Sequence, residues 1–284
     1  MPQSPIVEDI LGVLEKIASF GSAESWDNVG LLVGDPTSPV TGILVALDPT
    51  DAVLDEALAL QANLIVTHHP IIFHPLKAIR SDRYPGALLH RAIANHLNLI
   101  GCHTNLDAAP GGVNDALAVL LGLIDVKPLE TADGAGHAMS SANLAGMGRY
   151  GRFSEPVAGP DFLTLLCRAL NLDTVAVAGT LPALVETVAV CGGSGSDLAS
   201  TAREAGAQVL VTAEIKHSTG RWAEANDFCL VDGGHFATEN PVVMPLAERI
   251  KEFCIREGWE VDVRPCLTQR GPFVYYRAGF NHIS

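Results

Sequence analysis

Apolar residues in the first 125 positions follow two alternating patterns, one typical of strands and one typical of helices. Short apolar runs bounded by turn residues predict buried parallel strands at 42–48, 63–67 and 97–103. Apolar positions three and four residues apart predict helices over 7–20, 51–61, 85–96 and 113–121. Strands that alternate with helices indicate an α/β layer architecture with right-handed crossovers.

The second half of the chain repeats the first. Residues 188–212 align with residues 43–67 without a gap. Around this second copy we predict helices over 161–170, 196–205 and 241–258, and strands at 185–191, 207–212, 228–232, 259–263 and 272–276. Both copies lead toward a histidine followed four residues later by a carboxylate. Two similar units of this kind predict a site built between two half-sheets.

A segment rich in Gly, Ala, Ser and Pro separates the two copies. We therefore predict a first α/β repeat over 1–125, a junction over 126–160, and a second α/β repeat over 161–284 that includes the C-terminal helix and closing strands. Within the junction, Gly146-Met-Gly-Arg-Tyr-Gly151 matches the dinucleotide fingerprint in letters only. No apolar strand leads into it, so we interpret it as a turn.

Histidines and carboxylates cluster where predicted strands end, which is where open α/β sheets place ligand sites. The candidate metal ligands are four imidazoles and two carboxylates: His68, His69, His103, Asp107, His235 and Glu239. Six ligands are too many for one tetrahedral zinc with an open position, and they fit two divalent ions in one pocket. Mixed nitrogen and oxygen ligands favour Zn, Fe, Mn, Co or Ni over Mg or Ca.

Two further residues near the second repeat are candidate catalytic groups. Glu214 stands in the second copy where His69 stands in the first, and His217 follows three residues later. A solvated loop carboxylate is the alternative for Glu214. His74 is a weaker candidate for a place beside the ligands. The remaining histidines, His90, His96, His137 and His282, are interpreted as surface residues.

A glycine-rich segment, Cys191-Gly-Gly-Ser-Gly-Ser-Asp197, runs from a predicted strand into a predicted helix. It could hold an anion at the N-terminus of that helix, or it could be a tight turn with no ligand. The sequence leaves both alternatives open.

Composition narrows the class of protein. In 284 residues, 48% are hydrophobic and the mean hydropathy is +0.25, as expected of a folded globular chain. The net charge of −14 argues against non-specific nucleic-acid binding, but a bound cation would still admit an anionic small substrate. No apolar run reaches the about 18 residues of a membrane span, and the N-terminus lacks signal-peptide features. Six cysteines without C-x-x-C spacing predict reduced thiols, so we expect a cytoplasmic protein.

Six ordered motifs together resemble the NIF-three-like family, also labelled GTP cyclohydrolase I type 2 homologues. They are Trp26-Asp-Asn-Val-Gly-Leu-Leu-Val-Gly34, Thr67-His-His-Pro70, His103 to Asp107, Gly146-x-Gly-Arg-x-Gly151, Cys191-Gly-Gly-Ser-Gly195 and Gly233-Gly-His-Phe-Ala-Thr-Glu239. The resemblance implies two intertwined α/β domains, a dinuclear metal pocket between them, and a toroidal homohexamer assembled from dimers. The matching metal ligands are His68, His69, Asp107, His235 and Glu239, with His103 close by.

Two departures from the family pattern stand out. Ala213 occupies a position before Glu214 where the family often has glycine, and the short junction leaves no room for the inserted domain of some relatives. The tail after residue 264 extends the usual end, and the sequence assigns it no role.

These observations predict a hydrolase that uses two divalent ions on a small molecule, with nucleotide-like molecules as the candidate class. The alternative is a metal-binding scaffold or regulatory protein without catalysis. An open coordination position would separate the two, because structural sites are normally closed.

Overall fold

Two β-sheets with helices packed on them make up residues 4–131 and 145–274, the part of the chain that the computed structural model describes. The first stretch contains α1 Val7–Ile17, β1 Gly30–Val33, β2 Gly42–Ala46, α2 Asp51–Ala59, β3 Leu64–Thr67, α3 Gly86–Ala94, β4 Asn98–Gly101, α4 Thr104–Ala108 and α5 Val113–Leu120. The first stretch ends with β5 Ile124–Thr131, and the second contains β6 Gly146–Ala158, α6 Gly159–Ala169, β7 Ala176–Gly179, β8 Leu184–Val190, α7 Ala199–Glu204, β9 Val209–Thr212, α8 His217–Ala225, β10 Cys229–Asp232, α9 His235–Glu239, α10 Val243–Glu257 and β11 Asp262–Pro265.

The two sheets confirm the repeat that the sequence predicts. Their orders are β1-β4-β3-β2-β11 and β5-β6-β8-β9-β10-β7, so β1 to β4 of the first sheet correspond to β7 to β10 of the second. In both copies the inner strands are parallel and the edge strand, β1 or β7, is antiparallel. Even the register agrees, because Ile43 pairs with Leu64 and Val188 pairs with Val209 at matching repeat positions.

Additional strands intertwine the halves. The C-terminal strand β11 returns to the first sheet and pairs in parallel with β2, although the second half of the chain supplies it. Strands β5 and β6 extend the second sheet beside β8. Every residue of β2, β3 and β4 is buried, as expected of parallel strands that are covered by helices on both faces.

Helix α5 links the two hydrophobic cores. Val113 packs in the core that the first sheet forms with α1 and α10, whereas Leu117 and Ala118 pack in the core of the second sheet against α6. The first sheet therefore cannot move far relative to the second without opening apolar surface on this helix.

The structure corrects three secondary-structure predictions. The motif at 146–151 is not a turn: it lies in β6, which pairs with β5 and β8. The prediction required a continuous apolar run, and β6 has none, because its buried and less buried positions alternate and it contains glycines. Residues 272–274 form no strand, and 275–276 lie outside the described residues. Finally, α8 is absent from our predictions because only Ala223 of its nine residues is buried. Within residues 4–131 and 145–274, no helix is long and apolar enough to cross a membrane.

Candidate metal centre

Four histidines meet at the carboxyl ends of parallel strands. His68 and His69 directly follow β3, and His103 lies just after β4. His235 comes from the other half, where it begins α9 after β10. The rings of His69 and His235 lie 5.3 Å apart between centroids, so the two repeats meet in one site.

Two short helices bring carboxylates to the same place. His103 caps α4 and Asp107 lies four residues on, while α9 runs from His235 to Glu239. Residues four apart share one face of a helix, so each helix presents its acid beside its histidine. In α9 the His235 Nε2 atom lies 3.1 Å from an oxygen of Glu239.

The ligand atoms form two triads that share Glu239. The inner triad is His68, Asp107 and Glu239: His68 Nε2 lies 3.6 Å from Asp107 Oδ1 and 3.7 Å from Glu239 Oε1. The outer triad is His69, His235 and Glu239, in which Glu239 Oε2 lies 3.2 Å from His69 Nε2 and 3.1 Å from His235 Nε2. Each oxygen of one carboxylate thus faces a different triad. His103 forms a third group with His68 and His69.

Buried polar atoms without hydrogen bonds mark the shared centre. Among the described residues, His68 Nε2, Asp107 Oδ1 and Glu239 Oε2 are buried and accept or donate none. Unpaired buried polar atoms are costly. His68 Nε2 and Asp107 Oδ1 belong to the inner triad and Glu239 Oε2 faces the outer triad, so a cation in each triad would satisfy them. The donor set of imidazole nitrogens and carboxylate oxygens is suited to a first-row divalent ion.

The Nδ1 atom of each histidine is held by an acceptor, so Nε2 is the ring nitrogen that remains for a ligand; the Nε2 atoms of His69 and His235 lie 3.3 Å from each other. The acceptors and their distances are Cys102 O for His68, 2.9 Å; Asp48 Oδ1 for His69, 2.7 Å; Asp27 Oδ1 for His103, 2.9 Å; and Glu214 Oε1 for His235, 2.9 Å. A proton on Nδ1 fixes the tautomer and the orientation of the ring. This is how metal-binding histidines are usually supported.

Electrostatics at the centre favour positive charge. Burial disfavours protonated His69, but the carboxylates of Asp48 and Glu239 outweigh it and raise the pKa of His69 to about 10. The Glu239 carboxylate likewise raises the pKa of His235 to about 9. Burial opposes ionisation of Glu239, yet the surrounding imidazoles hold its pKa well below the usual value. Burial raises the pKa of Asp107 to about 6. Without metal, protons thus supply the charge that a cation would bring.

A cavity of about 480 Å³ opens onto both triads, within the size range of small-molecule sites. Much of its wall is apolar. The rings of Trp26 and Phe73 meet edge to face at 5.8 Å, and both also contact the ring of His103 edge to face. From the second half, Met147 and Leu198 line the opposite wall.

A family model described as Duf34/NIF3 (NGG1p interacting factor 3) matches residues 5–272. The chain belongs to the Duf34/NIF3 family. A relative from Streptomyces coelicolor named "GTP cyclohydrolase 1 type 2 homolog" is 34% identical over 279 residues, which cover 96% of this chain and 95% of the relative. The crystal structure of a Staphylococcus aureus hypothetical protein has a TM-score of 0.89 at 29% identity, with 96% of this chain and 100% of that chain covered. A Bacillus cereus protein related to NIF3 gives 0.88 at 25% identity, with coverage of 96% and 100%.

Our sequence predictions did not include two carboxylates of this Duf34/NIF3 chain that hold the histidines of the site. Asp27 accepts hydrogen bonds from His103 and from the backbone and hydroxyl of Thr104; these outweigh its burial and lower its pKa. Asp48 holds His69. Signals for both were present, since Asp27 lies inside the Trp26–Gly34 motif and Asp48 follows the first strand of the repeat.

The structure places the two candidate catalytic groups outside the cavity. Glu214 approaches the centre only through its hydrogen bond to His235, and its side chain is 58% exposed. His217 begins α8, is exposed, and makes no hydrogen bond or ion pair with any described residue. His74 is exposed and stacks edge-on against Phe73. His137 and His282 lie outside the described residues.

The glycine-rich segment after β8 forms a tight turn against the candidate metal centre. Its amides are used within the protein: Gly192 donates to Asn114 Oδ1 at 2.9 Å, Gly193 to Thr238 Oγ1 at 3.0 Å, and Gly195 to Thr212 Oγ1 at 2.9 Å. A side chain at Gly193, which has φ of +62°, would overlap the Glu239 carboxylate. These contacts favour the tight turn over the anion site.

Arg149, which lies in β6 of the second sheet, holds the backbone near Asp107 of the inner triad. Its guanidinium is buried, forms two hydrogen bonds with Asp115 at 2.8 and 2.9 Å, and donates to the carbonyl of Ala109 at 3.2 Å. Asn114 donates to the carbonyl of Asp107 at 2.9 Å. The end of α4, which carries Asp107, is therefore fixed by side chains that also contact the second sheet.

Proposed function

We propose that the protein is a hydrolase that uses two divalent ions, one in the inner and one in the outer triad. The observation that carries this proposal is the position of Glu239, whose two oxygens face different triads. A carboxylate in that position can bridge two ions. The unpaired buried atoms, two in the inner triad and one in the outer triad, support the fit.

Divalent ions in such a pair polarise a carbonyl or phosphoryl oxygen and activate water for attack near neutral pH. The candidate ions are Zn, Fe, Mn, Co and Ni, and the donor set does not choose among them.

The protein residues have distinct tasks in this proposal. Asp107 and Glu239 supply negative charge inside a buried site, and the four imidazoles supply neutral nitrogen donors. Asp27, Asp48, Glu214 and the carbonyl of Cys102 hold the Nδ1 protons, so each Nε2 lone pair is directed at the centre. We propose that Glu214 orients the His235 ring and holds the proton on its Nδ1 atom. A catalytic role for His217 stays a prediction, which unchanged turnover in His217→Ala would contradict.

Access to the outer triad favours catalysis over a purely structural site. The side chains of His69 and His235 are 22% and 31% exposed, and both line the cavity. A structural metal site normally has no opening of this kind. Trp26 and Phe73 give the cavity an apolar wall that suits a small molecule with a flat or apolar face. Since curated relatives carry the name "GTP cyclohydrolase 1 type 2 homolog", nucleotides are the first class to test.

The test begins with elemental analysis of purified protein, followed by an activity screen of nucleotides and cyclic amides with the native metal restored. We expect two ions per chain and turnover that is lost in Asp107→Asn. A single tightly held zinc per chain without turnover would support the alternative, a metal-binding scaffold or regulatory protein.

We further propose a cytosolic location and self-assembly into the toroidal homohexamer that the resemblance implies. The six cysteines are all unpaired, which is typical of a reducing compartment. Large apolar side chains such as Val119, Ile255 and Leu184 are exposed on the single chain and would be available for subunit contacts.

A further inference from the structure

The chain after β11 continues across the end of β2. Strand β11 pairs with β2 up to Pro265 and Val45, and the amide of Cys266 then donates to the carbonyl of Val45 at 2.7 Å. From there, residues 266–271 run beside the first copy of the repeat at the edge of the metal centre. We name these six residues the C-terminal strap.

Glu56 of α2 anchors the beginning of the strap. Its carboxylate accepts from Cys266 Sγ at 3.0 Å, from the amides of Leu267 and Thr268 at 3.1 and 3.2 Å, and from Thr268 Oγ1 at 2.6 Å. Four hydrogen bonds from three consecutive residues to one carboxylate fix the course of the strap as it leaves the sheet.

Gln269 then contacts the backbone on both sides of the Leu47–Asp48 peptide. Its Oε1 accepts from the amide of Leu47, and its Nε2 donates to the carbonyl of Asp48 at 3.0 Å. The carboxylate of Asp48 in turn holds Nδ1 of His69 at 2.7 Å. The amide of His69 also donates to the carbonyl of Leu47 at 2.9 Å. Two independent connections therefore run from Gln269 to His69.

The end of the strap lies against the residue that follows His235, the other histidine of the outer triad. A side chain at Gly271 would meet Phe236 at 3.3 Å, so the backbone there lies against that ring. Phe236 is the residue after His235. The inner triad is supported differently: the carbonyl of Cys102 holds His68, and Asn114 holds the backbone of Asp107.

We propose that the C-terminal strap positions the outer triad, with Gln269 as its main positioning residue. The proposal rests on the metal pair of the proposed function. Gln269 fixes the backbone from which Asp48 reaches His69, and it does not touch the inner triad. Loss of a group that orients a metal-binding histidine typically costs about 10–100-fold in metal affinity. Gln269 acts one step further away, so we expect the lower end, about tenfold, for the outer ion alone.

The test is a Co²⁺ titration of the full-length chain after metal removal, followed by visible absorption in the presence of a competing chelator. Wild type should bind two ions. Gln269→Ala should bind the outer ion about tenfold more weakly and the inner ion as wild type does. Arg270→Ala is the matched control, because Arg270 is exposed in the same strap and makes no hydrogen bond or ion pair with any described residue. Equal weakening of both ions would indicate a general structural role, and unchanged binding would refute the proposal.

Hydrogen exchange on the metal-free protein separates this proposal from the metal pair. Gln269→Ala should speed exchange of the Leu47 amide, which then has no acceptor, whereas Arg270→Ala should not. If wild type bound no Co²⁺, the proposed function would fail while the strap would still be judged by this exchange. If exchange at Leu47 were the same in both variants, the strap would be refuted whatever the metal content.

Discussion

Replacing Glu239 by glutamine tests the metal pair at its shared ligand. The substitution keeps the size of a side chain that packs against Gly192 and Gly193, so the turn after β8 should stay in place. It replaces one oxygen with an amide nitrogen, which cannot ligate a metal, and it removes the negative charge. One triad loses its Glu239 oxygen and the other keeps only a neutral amide oxygen in place of a carboxylate, so a single change weakens two triads whose histidines come from different halves of the chain.

The expected loss follows from the geometry. Glu239 is one of three ligands in each triad, at 3.7 Å from His68 Nε2 and at 3.2 and 3.1 Å from the outer imidazoles. Removing a group that only orients a ligand costs about 10–100-fold in affinity. Removing the shared ligand itself should therefore cost each ion at least about 100-fold, or about 2.8 kcal/mol.

Elemental analysis after dialysis, together with metal titration, measures this loss. The control is Glu248→Gln, which removes the same charge from an exposed position on α10 where the side chain makes no hydrogen bond or ion pair with a described residue. We expect two ions per chain in the control and neither ion in Glu239→Gln. Retention of both ions at wild-type affinity in Glu239→Gln would refute the shared site, and one ion bound at wild-type affinity while the other is lost would refute the position of Glu239 between the two triads.

Four further outcomes are expected. The pKa values of His69 and His235 are raised to about 10 and about 9, so both side chains are protonated at pH 7 without metal. Binding of the outer ion should therefore release protons, and its affinity should increase from pH 7 to pH 9. A metal affinity that does not change with pH would contradict this. Protonation of these two histidines also stabilises the folded metal-free protein, and this contribution is fully present below about pH 6.5. It is lost as the pH rises through 9 and 10, so the thermal unfolding temperature of the metal-free protein should fall over that range. Arg149→Met removes the ion-pair partner of Asp115 and the donor to buried carbonyls, and should cost about 3–5 kcal/mol in chemical denaturation; a cost below about 1 kcal/mol would show that Arg149 does not join the halves. Light scattering at micromolar concentration should show a hexamer, and a mass near one 29.9 kDa chain would rule it out.

The sequence was informative where chemistry and periodicity coincide. Histidines that directly follow apolar runs could be placed at strand ends, and the repeat predicted that His235 and Glu239, downstream of the second copy, lie near the first-copy residues. The structure brings all six candidate ligands into overlapping groups. Those residues were predictable because parallel strands bring their carboxyl ends to one edge.

Contacts that depend on the orientation of a side chain were not predictable. Asp27 lies 76 residues from His103, and only the folded positions of both show that the carboxylate holds the ring. Glu214 was expected near the pocket, but its hydrogen bond to Nδ1 of His235 could not be inferred from repeat position. Strand β6 was missed because its glycines and alternating burial hide it from a search for apolar runs.

The matching strand registers of the two halves have a historical consequence. An ancestral unit with these pairings would have needed a second copy of itself to complete the cluster, because each half now supplies only some of the ligands. Once the two copies were fused in one gene, they could diverge. Gly193 stands where the first copy has Asp48, and its missing side chain leaves the space that Glu239 occupies. Each half now supplies different ligands of the cluster, so neither half can replace the other, and no single mutation would restore two equivalent halves.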